Sequence, residues 1–321
     1  MQAMVPASAS PAIARSGATP FRSRALAHGG EHGIPRAFEE LIRWTIEQEP
    51  HVLIPYLSSA ELESFSNYYR ALPSATEPEF ARRHLAGLWS SEAGWAYRWL
   101  MWRAGAGCGL AGDPRVLDAG CGFGTFSMLF AALGSEVTGI DLREDRLRVA
   151  EARLVAHRLH AARRLAIDYR CENVLDGASG PFDLIWLYNA ISHIDPPERF
   201  LESARHRLAP GGVLVIGDIN GANPSHRRRL NTLRSEVHQR FVTRQGAVHP
   251  YAAERTFSPN DLRAIATRLD FRVIHHELFY PGHARLPAPL ARLLMEPIQR
   301  CWWFGQPVAR RQLFVATPDL C

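Results

Sequence analysis

The chain has 321 residues, 46% hydrophobic and 21% charged, which suits one large domain with an appendage or two small ones. Its formal net charge is +5, and every one of its 37 basic residues is an arginine. Without lysine the chain cannot form a Schiff base, anchor pyridoxal phosphate or build a P-loop.

Met1 to Gly30 is rich in Ala and Ser, carries several arginines and lacks acidic residues. This composition overlaps with organelle transit peptides, but the preferred reading of residues 1–35 is a disordered tail. From Arg36 onward Phe38, Leu41, Ile42, Thr45 and Ile46 recur at helical spacing. Ser59-Ala-Glu-Leu-Glu-Ser-Phe65 starts a capped helix that runs to about Leu72, and a further helical stretch runs from about Glu79 to Arg103. Residues 36–108 are therefore expected to form a helical cap. Trp95, Trp99 and Trp102 make a stripe that is read first as packing against the core. Tyr68, Tyr69, Trp89 and Tyr97 are the alternative lining of a ligand pocket.

Strands and helices alternate from Arg115. The expected strands are Arg115–Ala119, Glu136–Asp141, Ala166–Cys171, Phe182–Tyr188, Val213–Asp218, Arg272–Tyr280 and Arg311–Thr317. The fourth is almost wholly apolar, as a strand covered on both faces must be. Intervening helices begin near Phe126, Glu144, Pro197 and Pro259. The fold class is α/β: a Rossmann-like, seven-stranded, mostly parallel sheet with helices on both faces, joined to the N-terminal helical cap. Two long insertions are expected, near 221–256 and 281–307. The second is apolar and arginine-flanked; local packing over the sheet edge is read first, with a lipophilic substrate pocket, a dimer contact or peripheral membrane contact as the alternatives. No apolar run approaches the roughly 20 residues that a membrane span needs, so stable insertion is not expected.

Cysteines stand at 108, 121, 171, 301 and 321, odd in number and without a C-x-x-C pair. Zinc and disulfide frameworks are disfavoured; reduced thiols and a cytoplasmic location are expected. No His/Asp cluster has metal spacing, so no metal site is expected. The arginines form no aromatic-interleaved stripe, so no nucleic-acid partner is expected either.

The densest signal is Val116-Leu-Asp-Ala-Gly-Cys-Gly-Phe-Gly-Thr-Phe-Ser127, a buried strand, a glycine turn and a helix start. Asp141 closes the next strand. A dinucleotide fingerprint would place its third glycine where Thr125 stands. Asp118-x-Gly120-x-Gly122-x-Gly124 followed by Asp141 resembles the class I S-adenosylmethionine-dependent methyltransferases. Cys171-Glu172-Asn173, Phe182 to His193, Leu208 to Ile216 and Phe257 to Leu262 fall in that family's order. The resemblance covers Arg115 to Pro318 and places the domain at 109–321. It also implies a final strand lying antiparallel between the fifth and sixth.

The resemblance implies S-adenosyl-L-methionine as cofactor and a role for each motif residue. Gly120, Cys121, Gly122 and Gly124 let the backbone approach the methionine part, whose carboxylate meets the helix N-terminus. Asp118 faces the cationic end. Asp141 accepts from the ribose hydroxyls. Leu142, with Arg143 beside it, flanks the adenine, and Glu172 and Asn173 contact its edge. Tyr188 and Asn189 border the methyl group. His193 follows the fourth strand and is the candidate catalytic base; bonding to a loop carbonyl is the equally weighted structural reading. The implied reaction is in-line methyl transfer to a small-molecule acceptor, with an oxygen nucleophile on a lipophilic or aromatic metabolite preferred. Transfer to nitrogen or carbon, an NAD(P)-dependent reductase and a non-catalytic cofactor-binding protein are the alternatives. The oligomeric state stays open.

Overall fold

The computed structural model describes residues 92–105, 113–160, 165–176, 179–226, 238–242, 248–252, 255–279 and 306–319, with scattered positions between 40 and 61. In chain order the elements are α1 (Glu92–Gly105), β1 (Arg115–Ala119), α2 (Thr125–Ala132), β2 (Glu136–Asp141), α3 (Glu144–His160), β3 (Ile167–Cys171), β4 (Phe182–Tyr188), α4 (Pro197–Arg207), β5 (Leu208–Ile219), β6 (His238–Val242), β7 (Val248–Ala252), α5 (Pro259–Arg268), β8 (Phe271–Phe279) and β9 (Arg311–Pro318). A 3-10 turn, Ile191–His193, lies between β4 and α4.

Seven strands form one sheet in the order β3-β2-β1-β4-β5-β9-β8, and β6 and β7 form a separate hairpin. Strands β1 to β5 pair in parallel. β9 runs antiparallel to both neighbours, β5 and β8, as the sequence resemblance implies. The hairpin falls inside the first expected insertion. The N-terminal tail, the helix starts at Glu79 and Tyr68, Tyr69 and Trp89, and nearly all of the 281–307 insertion lie outside the described residues.

Side chains on a strand alternate between faces, and both faces of this sheet are buried. Val116, Leu184, Trp186, Val215, Leu313 and Val315 enter one apolar cluster with Met128, Leu129 and Phe130 of α2. Leu117, Ile185, Leu187, Leu214, Ile216 and Phe314 enter the other, with Phe200 and Leu201 of α4 and Leu262 and Ile265 of α5. The first cluster also receives the N-terminal segment: Leu41, Trp44, Leu53, Leu57, Trp95, Tyr97 and Trp99 are all buried in it. Trp95 stacks on His275 of β8 at 5.6 Å, and Tyr97 meets Phe130 at 5.3 Å. Within the aromatic set, Trp95, Tyr97 and Trp99 are core.

Helix ends follow local chemistry. Ser258 Oγ accepts from the Asp261 amide and the Asp261 carboxylate accepts from the Ser258 amide, a reciprocal cap that starts α5. α4 begins with Pro197, where no amide partner is needed, carries Glu198 in its first turn and ends on Arg205, His206 and Arg207, matching its dipole. β5 starts five residues earlier than the expected Val213. Leu208 pairs with Phe182 across a register shift, and Gly212 lies so close to the carbonyls of Ala209, Phe182 and Asp183 that a Cβ would sit within 2.9–3.1 Å of them. At this same end of the sheet the buried Asp183 carboxylate accepts from the Arg115 amide, 3.0 Å away, and fixes the start of β1 against β4.

Candidate functional site

The strand order reverses between β1 and β4, whose helical connections leave on opposite sides of the sheet. A crevice opens there, above the carboxyl ends of the strands. It holds a cavity of about 300 Å³, at the small end of the range for ligand pockets.

The glycine turn forms one wall. The amides of Gly120 and Cys121 both donate to the Ile140 carbonyl, at 2.8 and 3.0 Å, so the turn is tied to the end of β2. Gly120, Gly122 and Gly124 all have positive φ, at 74°, 54° and 73°. A Cβ on Gly120 would stand 2.9 Å from the Ala190 side chain, and one on Gly124 would stand 2.1 Å from the Tyr169 hydroxyl. Gly122 has open space around it and is held to glycine by its backbone alone. The three glycines therefore serve, in order, close approach of two loops, a left-handed turn, and packing behind the turn.

Two carboxylates face this wall. The Asp141 side chain accepts from the amides of Gly122 and Arg143, each at 2.8 Å, and is thereby held across the mouth of the turn. Asp118 is buried, and Ser127 Oγ donates to it at 2.5 Å. Burial, reinforced by the charge of Asp141 and opposed by the Ser127 hydrogen bond, pushes the Asp118 carboxyl up to about 7. Burial and the same two carboxylates push the Cys121 thiol up, so it stays protonated and is a wall, not a nucleophile.

The opposite wall follows β4. Tyr188 stacks on Trp186 with an interplanar angle of 7° and meets Phe126 at 4.7 Å. Asn189 adopts a positive φ of 51°, donates its amide to the Gly217 carbonyl, and accepts from Arg311 at 2.9 Å. The Arg311 guanidinium lies 4.7 Å over the Tyr188 ring. His193 closes the 3-10 turn, with its amide on the Ala190 carbonyl at 3.0 Å. Arg255 braces this turn from the first insertion. Its amide donates to the Ser192 carbonyl, and its guanidinium donates to the Ile194 carbonyl and pairs with Asp195 at 3.0 Å.

Nine of the sequence candidates come together on the cavity: Asp118, Gly120, Cys121, Gly122, Asp141, Leu142, Tyr188, Asn189 and His193. Gly124, Glu172 and Asn173 lie outside its wall. Asn173 Oδ1 instead accepts from the Leu175 amide and shapes the turn after β3, while Val174 beside it reaches the cavity. Phe123, Thr125 and Phe126 also line it; they interleave with the glycines and were readable from the same motif. Arg143 and Arg146, at the start of α3, and Ala190 and Ile194, around the 3-10 turn, complete the wall. Of these only Arg143 was singled out from sequence, because arginine and short apolar residues in a turn carry no spacing signal.

Polar residues at the end of β5 and in β8 have partners within the fold. Asn220 is buried and donates to the carbonyls of Gln306 and Ala309, and Asp218 accepts from the amide of Ile219. His276 bonds Gln312 at 3.1 Å, and burial lowers it to about 4, so it is neutral. Among the described residues no group of His, Cys, Asp and Glu is arranged to hold a metal, and no helix is long and apolar enough to cross a membrane.

Residues 117–214 match a family model described as a methyltransferase domain. The chain is 31% identical over 155 residues to a ubiquinone biosynthesis O-methyltransferase of Caulobacter sp. (strain K31), covering 47% of this chain and 56% of that protein. A protein of the same name from Idiomarina loihiensis is 35% identical over 109 residues, covering 33% of this chain and 42% of the relative. The chain thus spans about half the length of the curated relatives it matches. Among solved structures, the magnesium protoporphyrin IX methyltransferase of Synechocystis PCC 6803 with bound SAH aligns with a TM-score of 0.50 at 12% identity. That alignment covers 84% of this chain and all of the other, and at this identity the likeness is one of fold.

Proposed function

We propose that this chain, whose residues 117–214 match a methyltransferase-domain model, is an enzyme of the class I type that moves a methyl group from S-adenosyl-L-methionine to an oxygen of a small lipophilic or aromatic acceptor. The observation that carries this reading is the pairing, across one crevice at the strand-order reversal, of the glycine turn with the Asp141 carboxylate.

The residues present fit that cofactor. Asp141 spends one hydrogen bond per oxygen on backbone amides, and each carboxylate oxygen has lone pairs left for ribose hydroxyls. The N-cap of α2, Gly124, brings no side chain to the helix amides, which leaves that N-terminus to an anionic group such as a carboxylate. Asp118 is a buried carboxyl on the cavity, suited to a cationic amine. Leu142 and Val174 offer apolar contact for a base.

When bound, the cofactor supplies a methyl group already activated on a sulfonium. The protein's part is then placement and dryness. Tyr188 and Phe126 exclude water from the wall beside β4. Asn189, held by Arg311, offers an amide to orient the acceptor. The His193 imidazole takes the proton that an acceptor hydroxyl must lose, which raises that oxygen's nucleophilicity.

Calorimetric titration with S-adenosylhomocysteine tests the reading. Binding in the micromolar range, roughly −8 kcal/mol, is expected for the wild type, weakened at least about tenfold by Asp141→Asn. Incubation of S-adenosylmethionine with hydroxylated lipophilic acceptors should then yield S-adenosylhomocysteine and an O-methyl product. An N- or C-methyl product would replace the oxygen assignment. Absence of binding by folded protein would overturn the reading.

A further inference from the structure

Arg153 of α3 and Glu49 of the N-terminal segment form an ion pair with side chains 1% and 0% exposed, 104 residues apart in sequence. Arg153 Nε donates to Glu49 Oε1 at 2.5 Å, and Nη2 donates to Oε2 at 3.2 Å. The remaining arm of the fork points at the cavity wall from behind. Nη1 donates to the Phe123 carbonyl at 2.5 Å and to Thr125 Oγ1 at 2.8 Å. Phe123 and Thr125 flank Gly124 and both line the cavity.

We infer that Glu49 and Arg153 are positioning residues for the cofactor turn, so that Glu49 of the N-terminal segment supports the binding site from behind its wall. The inference rests on the cofactor reading above for what the turn binds, but not for the brace itself. A guanidinium is planar, so fixing two of its nitrogens on one carboxylate fixes where the third points. Glu49 is itself placed by packing. Leu41, Trp44, Leu53 and Leu57 are buried in the same cluster as Val149 and Leu154 of α3, and Trp44 meets the His157 ring edge-on at 5.0 Å. The Glu49 carbonyl also accepts from the Leu53 amide at 3.1 Å, which ties its backbone to the buried Leu53. The chain of contacts runs from the docked segment through Glu49 and Arg153 to the backbone between the second and third glycines. Gly122 and Gly124 both have positive φ and no side chains of their own to hold that backbone.

The test uses the full chain with Glu49→Gln, Arg153→Lys and, as a control, Leu262→Ala in the cluster on the opposite face of the sheet. Gln keeps the shape of Glu49 but turns one acceptor into a donor facing the guanidinium; Lys keeps the charge of Arg153 but loses the fork. Amide hydrogen exchange at Gly122–Met128 without ligand, and calorimetric binding of S-adenosylhomocysteine well below the unfolding temperature, are both read. Faster exchange confined to that turn and about tenfold weaker binding are expected for both brace variants. Leu262→Ala should lower the unfolding temperature and leave turn exchange and affinity at wild-type values. Wild-type exchange and affinity in a folded Glu49→Gln or Arg153→Lys protein would overturn the inference, leaving the pair a folding device. If one variant fails to fold, the other decides, and Thr125→Val removes a single contact of the fork as a milder third. Wild-type protein that does not bind S-adenosylhomocysteine overturns the cofactor reading, while exchange at the turn still decides the brace.

Discussion

At the scale of single residues, the role proposed for His193 can be separated from that of the groups that hold the cofactor. His193→Ala is expected to lower kcat by about a hundredfold or more if the imidazole takes the acceptor proton, while S-adenosylhomocysteine affinity stays within about twofold. An unchanged kcat would mean that placement alone suffices. Asp118 gives a pH prediction. Its carboxyl holds its proton to about 7 in the fold, against an ordinary value of 3.8. Below 3.8 it is protonated in both folded and unfolded chains and costs nothing. Between 3.8 and 7 the unfolded chain sheds the proton first, so stability falls as pH rises through this window and is level above it. Asp118→Asn removes this loss. Its stability relative to wild type should therefore grow by about 2–4 kcal/mol from pH 4 to pH 8 in urea unfolding. A difference that does not change with pH would mean that Asp118 ionises normally. The turn itself was legible in the sequence, since glycines two apart after a buried strand admit few geometries. Glu49 and Arg153 were not, because a charge pair separated by 104 residues leaves no local pattern, and each reads alone as a solvated side chain.

Among the elements, the short apolar strands were the most readable. A strand buried on both faces reads as a nearly continuous run of large apolar residues, and Phe182–Tyr188 is one, broken only by Asp183. The early start of β5 was not readable: its first five residues, Leu208-Ala-Pro-Gly-Gly212, have turn composition, and only the neighbouring Phe182 and the tight backbone at Gly212 draw them into the sheet. The β6–β7 hairpin was missed for a related reason, since its pairing is local and its sequence does not alternate cleanly. The start of α5 was readable from Ser258-Pro-Asn-Asp261. Ser258→Ala is expected to cost about 1 kcal/mol in chemical unfolding, through loss of one arm of the reciprocal cap. A cost near zero would show that water replaces the hydroxyl.

For the whole molecule, the sheet divides the described interior into two apolar layers, one on each face. Leu129 lies in one and Leu201 in the other, each 1% exposed. Each truncation to Ala is expected to cost about 2–5 kcal/mol, and the double variant to equal the sum within about 0.5 kcal/mol. A larger departure from additivity would show that the layers communicate across the sheet. The strand order carries a consequence for how the molecule is made. β9 is the last of the seven strands in sequence, yet it sits inside the sheet with β5 on one side and β8 on the other. Until Arg311–Pro318 has been synthesised, β5 ends in a bare row of amides and carbonyls, and β8 has no partner in the sheet at all. A chain growing on the ribosome therefore carries an open β5 edge, joined later by an open β8, until β9 emerges, and such edges recruit foreign strands. The assembly behaves like an arch whose keystone arrives late: the outer part of the sheet cannot close gradually, and a single segment of eight residues completes both seams at once.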